Sequence, residues 1–231
     1  MSKGFFITGT DTGVGKTYVA VNLIRAFREL QLKVSGFKPV ASGAVWGNGR
    51  LENEDALALM HESNVPLSYE IVNPYCFEPA IAPHLAANQA GVDIAFSQIQ
   101  SCYKKHAEAS DVVIVEGAGG WKVPLGNQLS FDDVAIALDL PVILVVGLQL
   151  GCISHALLSE ASILKKNRLA GWVGNVVSQE FGEADANMET LKELMASPCI
   201  GYFKQQSTKE NNVVAVQANT AKLLDYLLEF S

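Results

Sequence analysis

A glycine-containing loop follows the first strongly apolar run of the sequence. It reads GTDTGVGKT over residues 9–17, and a segment with helical spacing comes directly after it. Backbone amides of such a loop, together with the positive end of the following helix, bind phosphate oxygens. We expect Lys16 to reach the terminal phosphates and the Thr17 hydroxyl to bind Mg²⁺. The loop is a variant, because five residues separate Gly9 from Gly15 where the standard pattern has four.

Acidic residues occur at two further places where a strand ends or a helix begins. Glu116 ends a buried run and is followed by Gly117-Ala118-Gly119-Gly120. A carboxylate at a strand tip beside a phosphate loop is placed to bind a nucleotide-bound Mg²⁺, and the glycines allow other backbone to approach. Glu52, Glu54 and Asp55 precede a helical stretch. Spacing alone does not choose a metal ligand among these three acids, which also suit a helix N-terminus.

Two more segments offer groups that bind anions. Lys38 follows a strand-like run and leads through Pro39 to Ser42, so it presents an ammonium group and a hydroxyl on one loop. The segment 151–155 follows another apolar run and begins a helix, where free amides favour a carboxylate. His84 and His155 have no partnered Ser or Cys nucleophile in the sequence, and we expect both to be packed or surface residues.

These residues require a scaffold of alternating strands and helices. Runs of Val, Ile, Leu and Phe with little alternation predict buried parallel strands at 4–9, 33–38, 112–116, 142–146, 171–177 and 199–203. Helical spacing predicts helices at 16–30, 94–108, 131–137, 154–166, 184–196 and 219–230. The fold class is therefore α/β, a single doubly wound and mainly parallel sheet with helices on both faces, of the P-loop NTPase type. We expect residues 1–231 to form one domain, with ligands beyond the carboxyl ends of the strands.

Composition limits the partners. The 231 residues include 17 Lys and Arg against 24 Asp and Glu, a net charge of −7, with no basic block. Nucleic acid and an anionic membrane surface are therefore not expected partners. The longest apolar run, 141–148, is too short to span a bilayer, and the four cysteines form no CxxC pair. A cytoplasmic location is expected.

Several separate motifs together resemble the dethiobiotin synthetase family. They are GTDTGVGKT at 9–17, GFKPVASG at 36–43, DALAL at 55–59, VNPYCF at 72–77, VEGAGGW at 115–121 and PVILVVGLQLGCISHALL at 141–158. The longer phosphate loop is the family's own form. The family uses MgATP to join CO₂ to 7,8-diaminononanoate and closes a cyclic urea. One amine forms a carbamate, the γ-phosphate of ATP is transferred to it, and the second amine displaces phosphate.

The resemblance also implies roles for individual residues. Lys38 and Lys16 correspond to catalytic lysines, and Thr17, Asp55 and Glu116 to ligands of Mg²⁺. The nucleotide-binding positions, besides those metal ligands and Lys16, are Gly13, Val14, Gly15, Gly117, Ala118, Gly119, Asn175 and Val176. The substrate-binding positions are Thr12, Ser42, Gly151, Cys152, Ile153 and Ser154. Family members are homodimers, and residues 150–154 are expected to hold the substrate's carboxylate near the partner subunit.

The sequence departs from the family at the nucleotide base. Val176 follows Asn175 where an Asp is familiar, and residues 201–206 read GYFKQQ where a Pro-containing loop often lies against adenine. Two alternative functions remain in view. One is a related P-loop amidoligase of the cobyrinate synthetase type, which the absence of a glutaminase domain disfavours. The other is a ParA/MinD-like ATPase switch, whose extra loop lysine is replaced here by Asp11.

Overall fold

The chain folds around one parallel sheet. A computed structural model describes residues 2–178, 181–204 and 220–230. Its main sheet has six strands in the order β12-β11-β10-β1-β7-β2, and all neighbours pair in parallel. These strands are β1 (Lys3–Gly9), β2 (Val34–Phe37), β7 (Val112–Gly120), β10 (Val142–Leu148), β11 (Leu169–Val176) and β12 (Cys199–Phe203).

Helices cover both faces of this sheet. In chain order they are α1 (Lys16–Glu29), α2 (Glu54–Glu62), α3 (Tyr69–Val72), α4 (Pro83–Ala90), α5 (Phe96–Ala109), α6 (Phe131–Ala137), α7 (Cys152–Leu164), α8 (Ala184–Leu194) and α9 (Thr220–Phe230). Alternate strand residues belong to two separate buried clusters. Phe6 packs with residues of α5 to α8, whereas Phe5 and Ile7 pack with residues of α1 and α9. The predicted doubly wound α/β architecture is therefore confirmed.

Short strands lie outside the main sheet, and the sequence did not predict them. They are β3 (Val40–Ser42), β4 (Val45–Gly47), β5 (Arg50–Glu52), β6 (Tyr75–Phe77), β8 (Pro124–Gly126) and β9 (Leu129–Ser130). They form three two-stranded ladders. Strands of two or three residues carry too few side chains to show a periodicity, so pattern analysis does not find them.

The predicted elements differ from the observed ones mainly at their ends. The helix predicted to begin at Ser154 begins at Cys152, because Gly151 adopts a left-handed conformation (φ 91°) and starts it earlier. Strand β7 runs past Glu116 to Gly120. The helix predicted from Asn219 is described from Thr220 onward, and residue 219 lies outside the described residues. Within the described ranges, no helix has the length and apolarity needed to cross a membrane.

Candidate active site

The phosphate loop connects β1 to α1 in the manner that the sequence predicts. Gly15 precedes the helix in the left-handed region, with φ 90° and ψ 31°. The Lys16 ammonium bends back and donates to the Asp11 carbonyl at 2.9 Å. Burial, with the nearby Lys38 charge, lowers the pKa of Lys16 to about 8. A phosphate anion in the loop would offset both effects, because it supplies the opposite charge.

Three oxygen-bearing side chains from distant parts of the chain meet at this loop. The Thr17 hydroxyl lies 2.6 Å from Asp55 Oδ1 and 2.9 Å from Glu116 Oε1. Asp55 comes from the first turn of α2, and Glu116 lies within β7. A hydroxyl has one hydrogen and can donate to only one carboxylate at a time. One of the two carboxylates therefore receives no hydrogen bond from Thr17.

The Lys38 ammonium offsets the negative charge of the two carboxylates in this cluster. Its Nζ donates to Glu116 Oε1 at 2.7 Å, to Asp55 Oδ2 at 2.9 Å and to the Gly117 carbonyl at 3.0 Å. Burial acts to lower the pKa of Lys38, but the charges of Glu116 and Asp55 outweigh it and raise that pKa. Burial likewise opposes ionisation of Asp55, yet Lys38 and the Thr17 hydrogen bond lower the Asp55 pKa. All three ammonium hydrogens are thus used within the cluster.

The cluster fits a small, hard cation. Glu116 is fully buried, and its Oε2 has no hydrogen-bond partner among the described residues. Burial raises the pKa of Glu116 despite the neighbouring Lys38, so additional positive charge here is favourable. Mg²⁺ characteristically takes one or two carboxylates together with substrate phosphates and water. In the part of the chain described, no group of three or more His, Cys, Asp or Glu side chains is placed to hold a metal ion by itself, and a nucleotide-bound Mg²⁺ does not require one.

The geometry separates the three acids that residue spacing alone leaves open, and it brings together the one that the resemblance implies. Glu52 lies on β5 and pairs with Arg50 at 3.0 Å, whereas Glu54 is exposed. Only Asp55 reaches Thr17 and Lys38. The reason is the start of α2: the Asn53 side chain accepts from the Ala56 amide and caps the helix. That cap fixes the first turn of α2, which contains Asp55.

A cleft of about 610 Å³ opens above these groups. Most predicted residues of the loops line it, namely Thr12, Gly13, Gly15, Lys16, Thr17, Lys38, Ser42, Asp55, Glu116, Ala118 and Gly119. The remaining walls come from residues that the sequence did not single out, Ala41, Asn53, Ala80–Pro83 and Val123. Two signals were available for them. Asn53 is a typical N-cap residue, and Pro83 stands at the start of α4, a position that proline favours.

The predicted base-binding residue lies against the phosphate loop. Asn175 Nδ2 donates to the Val14 carbonyl at 2.9 Å. A Cβ atom added at Gly15 would come within 2.2 Å of the same nitrogen. Val176 is the last residue of β11. Of the departing segment 201–206, residues 205 and 206 lie outside the described residues.

The predicted carboxylate clamp lies at the same edge of the sheet but does not line the cleft of this chain. Gly151 precedes α7, with Cys152, Ile153 and Ser154 in its first turn. The Cys152 amide donates to the Gln149 carbonyl at 3.0 Å, and its buried Sγ lies 3.6 Å from Asn187 Oδ1. Leu150, beside this turn, is 91% exposed.

Comparisons with known proteins agree with this geometry. A family model described as an AAA domain matches residues 3–212. The MinC:MinD cell division protein complex of Aquifex aeolicus superimposes with a TM-score of 0.54 at 16% identity, covering 99% of this chain and 86% of that one. MinD complexed with Mg-ADP from Pyrococcus horikoshii gives 0.55, also at 16% identity, covering 89% and 82%. At such identity the likeness shows the fold alone. Fold and loop together define a P-loop nucleotide-binding protein.

Sequence relatives define the family more narrowly. The ATP-dependent dethiobiotin synthetase BioD of Pseudomonas paraeruginosa is 48% identical over 199 residues, 85% of this chain and 87% of the relative. The protein of the same name from Cellvibrio japonicus is 41% identical over 224 residues, 96% and 98% of the two chains. The chain belongs to the dethiobiotin synthetase family, whose members are ligases.

Proposed function

We propose that the protein closes the cyclic urea of dethiobiotin from 7,8-diaminononanoate and CO₂, using ATP. One amine of the diamine attacks CO₂ and loses a proton, which gives a carbamate. The γ-phosphoryl group moves to a carbamate oxygen as its bond to ADP breaks. The second amine then attacks the carbonyl carbon, loses a proton and expels phosphate. The products are dethiobiotin, ADP and phosphate.

The observation that carries this proposal is the meeting of Lys16, Lys38 and the Thr17–Asp55–Glu116 oxygens at one end of the cleft. Phosphoryl transfer needs positioning and neutralisation of charge more than it needs a protein nucleophile. Lys16 would hold the β- and γ-phosphates, and Lys38 would face the carbamate and the transferring group. Ser42 and Thr12 line the same cleft and would contact the diamine.

Mg²⁺ is proposed as the cofactor, with Thr17, Asp55 and Glu116 as its protein ligands. When bound, it neutralises charge on the ATP phosphates. The backbone of residues 13–17 and 116–119 would surround the nucleotide phosphates. Asn175 and Val176 would lie by the base, where Asn175 already contacts the loop.

We also propose a homodimer in the cytoplasm, with residues 1–231 acting as one domain. The family resemblance and two exposed apolar residues support the dimer. Leu150 is 91% exposed and Leu158 is 68% exposed, and both lie at α7 beside the predicted clamp. If a partner subunit covers them, the amides of residues 151–154 of each chain would come to the open end of the other chain's cleft. The four cysteines are all unpaired, as suits a reducing compartment.

The direct test measures ADP release by the purified protein with MgATP and bicarbonate, with and without 7,8-diaminononanoate, followed by mass detection of dethiobiotin. Diamine-dependent ADP release together with the cyclic urea is the expected result. ATP binding without any diamine dependence would contradict the proposal and favour a different amidoligase substrate. ATP-dependent binding to DNA or liposomes would favour a switch instead.

A further inference from the structure

The segment from Tyr69 to Tyr75 lies directly behind the Lys38 loop. The Lys38 amide donates to the Val72 carbonyl at 2.9 Å, and the Tyr75 amide donates to the Pro39 carbonyl at 3.3 Å. These bonds attach the residues around Lys38 to a part of the chain with no role in the proposed chemistry. Within that segment, Tyr69 and Asn73 are each only 3% exposed.

The Asn73 side chain is fully committed to hydrogen bonds. Its Nδ2 donates to the Lys38 carbonyl at 2.7 Å and to the Tyr75 carbonyl at 3.1 Å. Two carbonyl acceptors can only be served by the NH₂ group, so the Oδ1 atom must face Tyr69. The Tyr69 hydroxyl donates to that Oδ1 at 3.0 Å. Asn73 therefore fixes the backbone of Lys38 through a bond whose direction is unambiguous.

The same Tyr69 hydroxyl also holds the start of α2. It accepts a hydrogen bond from the Asn53 amide at 2.7 Å, and Asn53 is the N-cap of the helical turn that contains Asp55. Burial raises the pKa of Tyr69, which keeps its proton in place for Asn73. On the other side, the Arg50 guanidinium lies 4.4 Å from the centre of the Tyr69 ring.

We propose that Tyr69 and Asn73 are positioning residues, which set Lys38 and Asp55 in the relative geometry that phosphoryl transfer and cation binding require. The proposal rests on the proposed function of the cleft. Lys38 follows β2 and Asp55 lies in α2, yet their charged atoms meet at 2.9 Å. The Tyr69 hydroxyl is bonded to the Asn73 side chain, which holds the Lys38 carbonyl, and to the Asn53 amide at the start of α2. Removing the hydroxyl leaves the Asn53 amide and Asn73 Oδ1 unpaired. The backbone at Lys38 and the start of α2 can then move independently.

Tyr69→Phe is the sharpest variant, because it keeps the ring and its contact with Arg50 and removes only the hydroxyl. Tyr226→Phe is the matched control, since the Tyr226 hydroxyl also donates to an oxygen, the Ala170 carbonyl at 2.8 Å. Ala170 lies on β11, four strands away from β2 in the sheet. Supporting groups around metal and catalytic ligands are typically worth about 10- to 100-fold. We expect Tyr69→Phe to lower kcat by that factor while the KM for the diamine changes by no more than about two-fold. Tyr226→Phe should leave both constants unchanged.

A binding measurement separates this proposal from the proposed function. The affinity for ADP is measured by calorimetry with saturating Mg²⁺ and with EDTA. We expect Tyr69→Phe, and likewise Asn73→Ala, to bind ADP in EDTA as tightly as the wild type does. The increase in ADP affinity on adding Mg²⁺ should be about ten-fold smaller than in the wild type. This result would support the positioning role even if the wild-type protein showed no diamine-dependent turnover. A Tyr69→Phe protein that matches Tyr226→Phe in both kcat and the Mg²⁺ gain would overturn it.

Discussion

At the scale of single residues, the centre of the cleft is balanced in charge before any ligand enters. Lys16 and Lys38 face Asp55 and Glu116, and the Lys38–Glu116 pair is almost wholly buried, with side chains 3% and 0% exposed. Such a pair gains little over an apolar pair of equal volume, but removing one partner leaves an uncompensated buried charge. Lys38 therefore has both a structural and a chemical role.

Replacing Lys38 by Ala is expected to affect stability and turnover separately. We expect the free energy of unfolding to fall by about 3–5 kcal/mol, because Glu116 loses its counter-charge. Turnover should fall by about 10²–10³-fold through loss of a preorganised positive charge. Urea denaturation and dethiobiotin formation measure the two effects.

A double variant distinguishes the two roles of Lys38. Lys38→Ala combined with Glu116→Gln removes the unpaired charge, so most of the lost stability should return. Its turnover stays low in any case, because the variant has also lost a proposed ligand of Mg²⁺, so turnover is read in Lys38→Ala alone. Wild-type turnover in Lys38→Ala would remove Lys38 from the proposed chemistry.

At the scale of elements, the phosphate loop depends on a glycine at the start of α1. Gly15 has φ 90°, and a Cβ there would lie 2.2 Å from Asn175 Nδ2. Gly49, in the turn between β4 and β5, has φ 78° and nothing within 4 Å of an added Cβ. The two positions share the backbone strain of a left-handed residue, but only Gly15 lies in the phosphate loop and against Asn175.

Gly15→Ala and Gly49→Ala should therefore share one effect and differ in another. Each is expected to cost about 1–2 kcal/mol of stability, since an L-residue is strained at this φ. Only Gly15→Ala should weaken ADP binding, by about ten-fold or more, because it displaces Asn175 from the loop. Calorimetric titration with ADP tests this, and equal ADP affinities for the two variants would contradict it.

The helix start at α7 gives a second prediction at this scale. Gly151 has φ 91°, and the atom nearest to an added Cβ, on His155, is 3.9 Å away. Gly151→Val should thus leave local packing largely intact but crowd the amides of residues 152–154. We expect the KM for the diamine to rise far more than the KM for ATP. Gly126→Val is the control, at φ 98° with open space around it; an unchanged diamine KM in Gly151→Val would exclude the clamp.

At the scale of the whole molecule, one buried histidine connects three elements that are distant in the sequence, α5, β2 and α3. His106 of α5 is fully buried, with Nδ1 2.9 Å from Ser35 Oγ on β2 and Nε2 3.3 Å from the Ile71 carbonyl of α3. A carbonyl can only accept, so Nε2 carries the hydrogen and Nδ1 accepts from Ser35. The neutral ring is therefore fully satisfied, and burial lowers the pKa of His106 from 6.5 to about 4.

This histidine makes stability depend on pH in a defined window. Between pH 6.5 and about 4 the unfolded chain binds a proton at His106 that the folded chain does not. Stability is therefore complete above pH 6.5 and falls as the pH drops, by about 3 kcal/mol at most. Urea denaturation of the wild type and of His106→Gln measures the difference, in which other titrating groups cancel. Parallel curves across that window would contradict the prediction.

The sequence by itself determined the sheet, most helices and the phosphate loop. Each has a signal within one short stretch of residues. The strands show unbroken apolar runs, the helices show helical spacing, and the loop reads GTDTGVGKT. The sequence also indicated that Glu116 and Lys38 lie at one edge of the sheet, because the carboxyl ends of parallel strands share that edge. Signals of this kind depend on local chain geometry, which a short window of residues controls.

Only the tertiary structure decided which distant groups meet. It placed Asp55 against Thr17 and Lys38, a choice that residue spacing left open and only the family resemblance implied, and it placed Ala80–Pro83 on the cleft wall. It also brought Tyr69 and Asn73 behind Lys38. Tyr69 begins α3 and Asn73 follows its last residue, and neither residue type suggests this role by itself, although Asn73 belongs to the VNPYCF motif. Their roles arise from hydrogen bonds between segments that come together only when the sheet and its helices have packed.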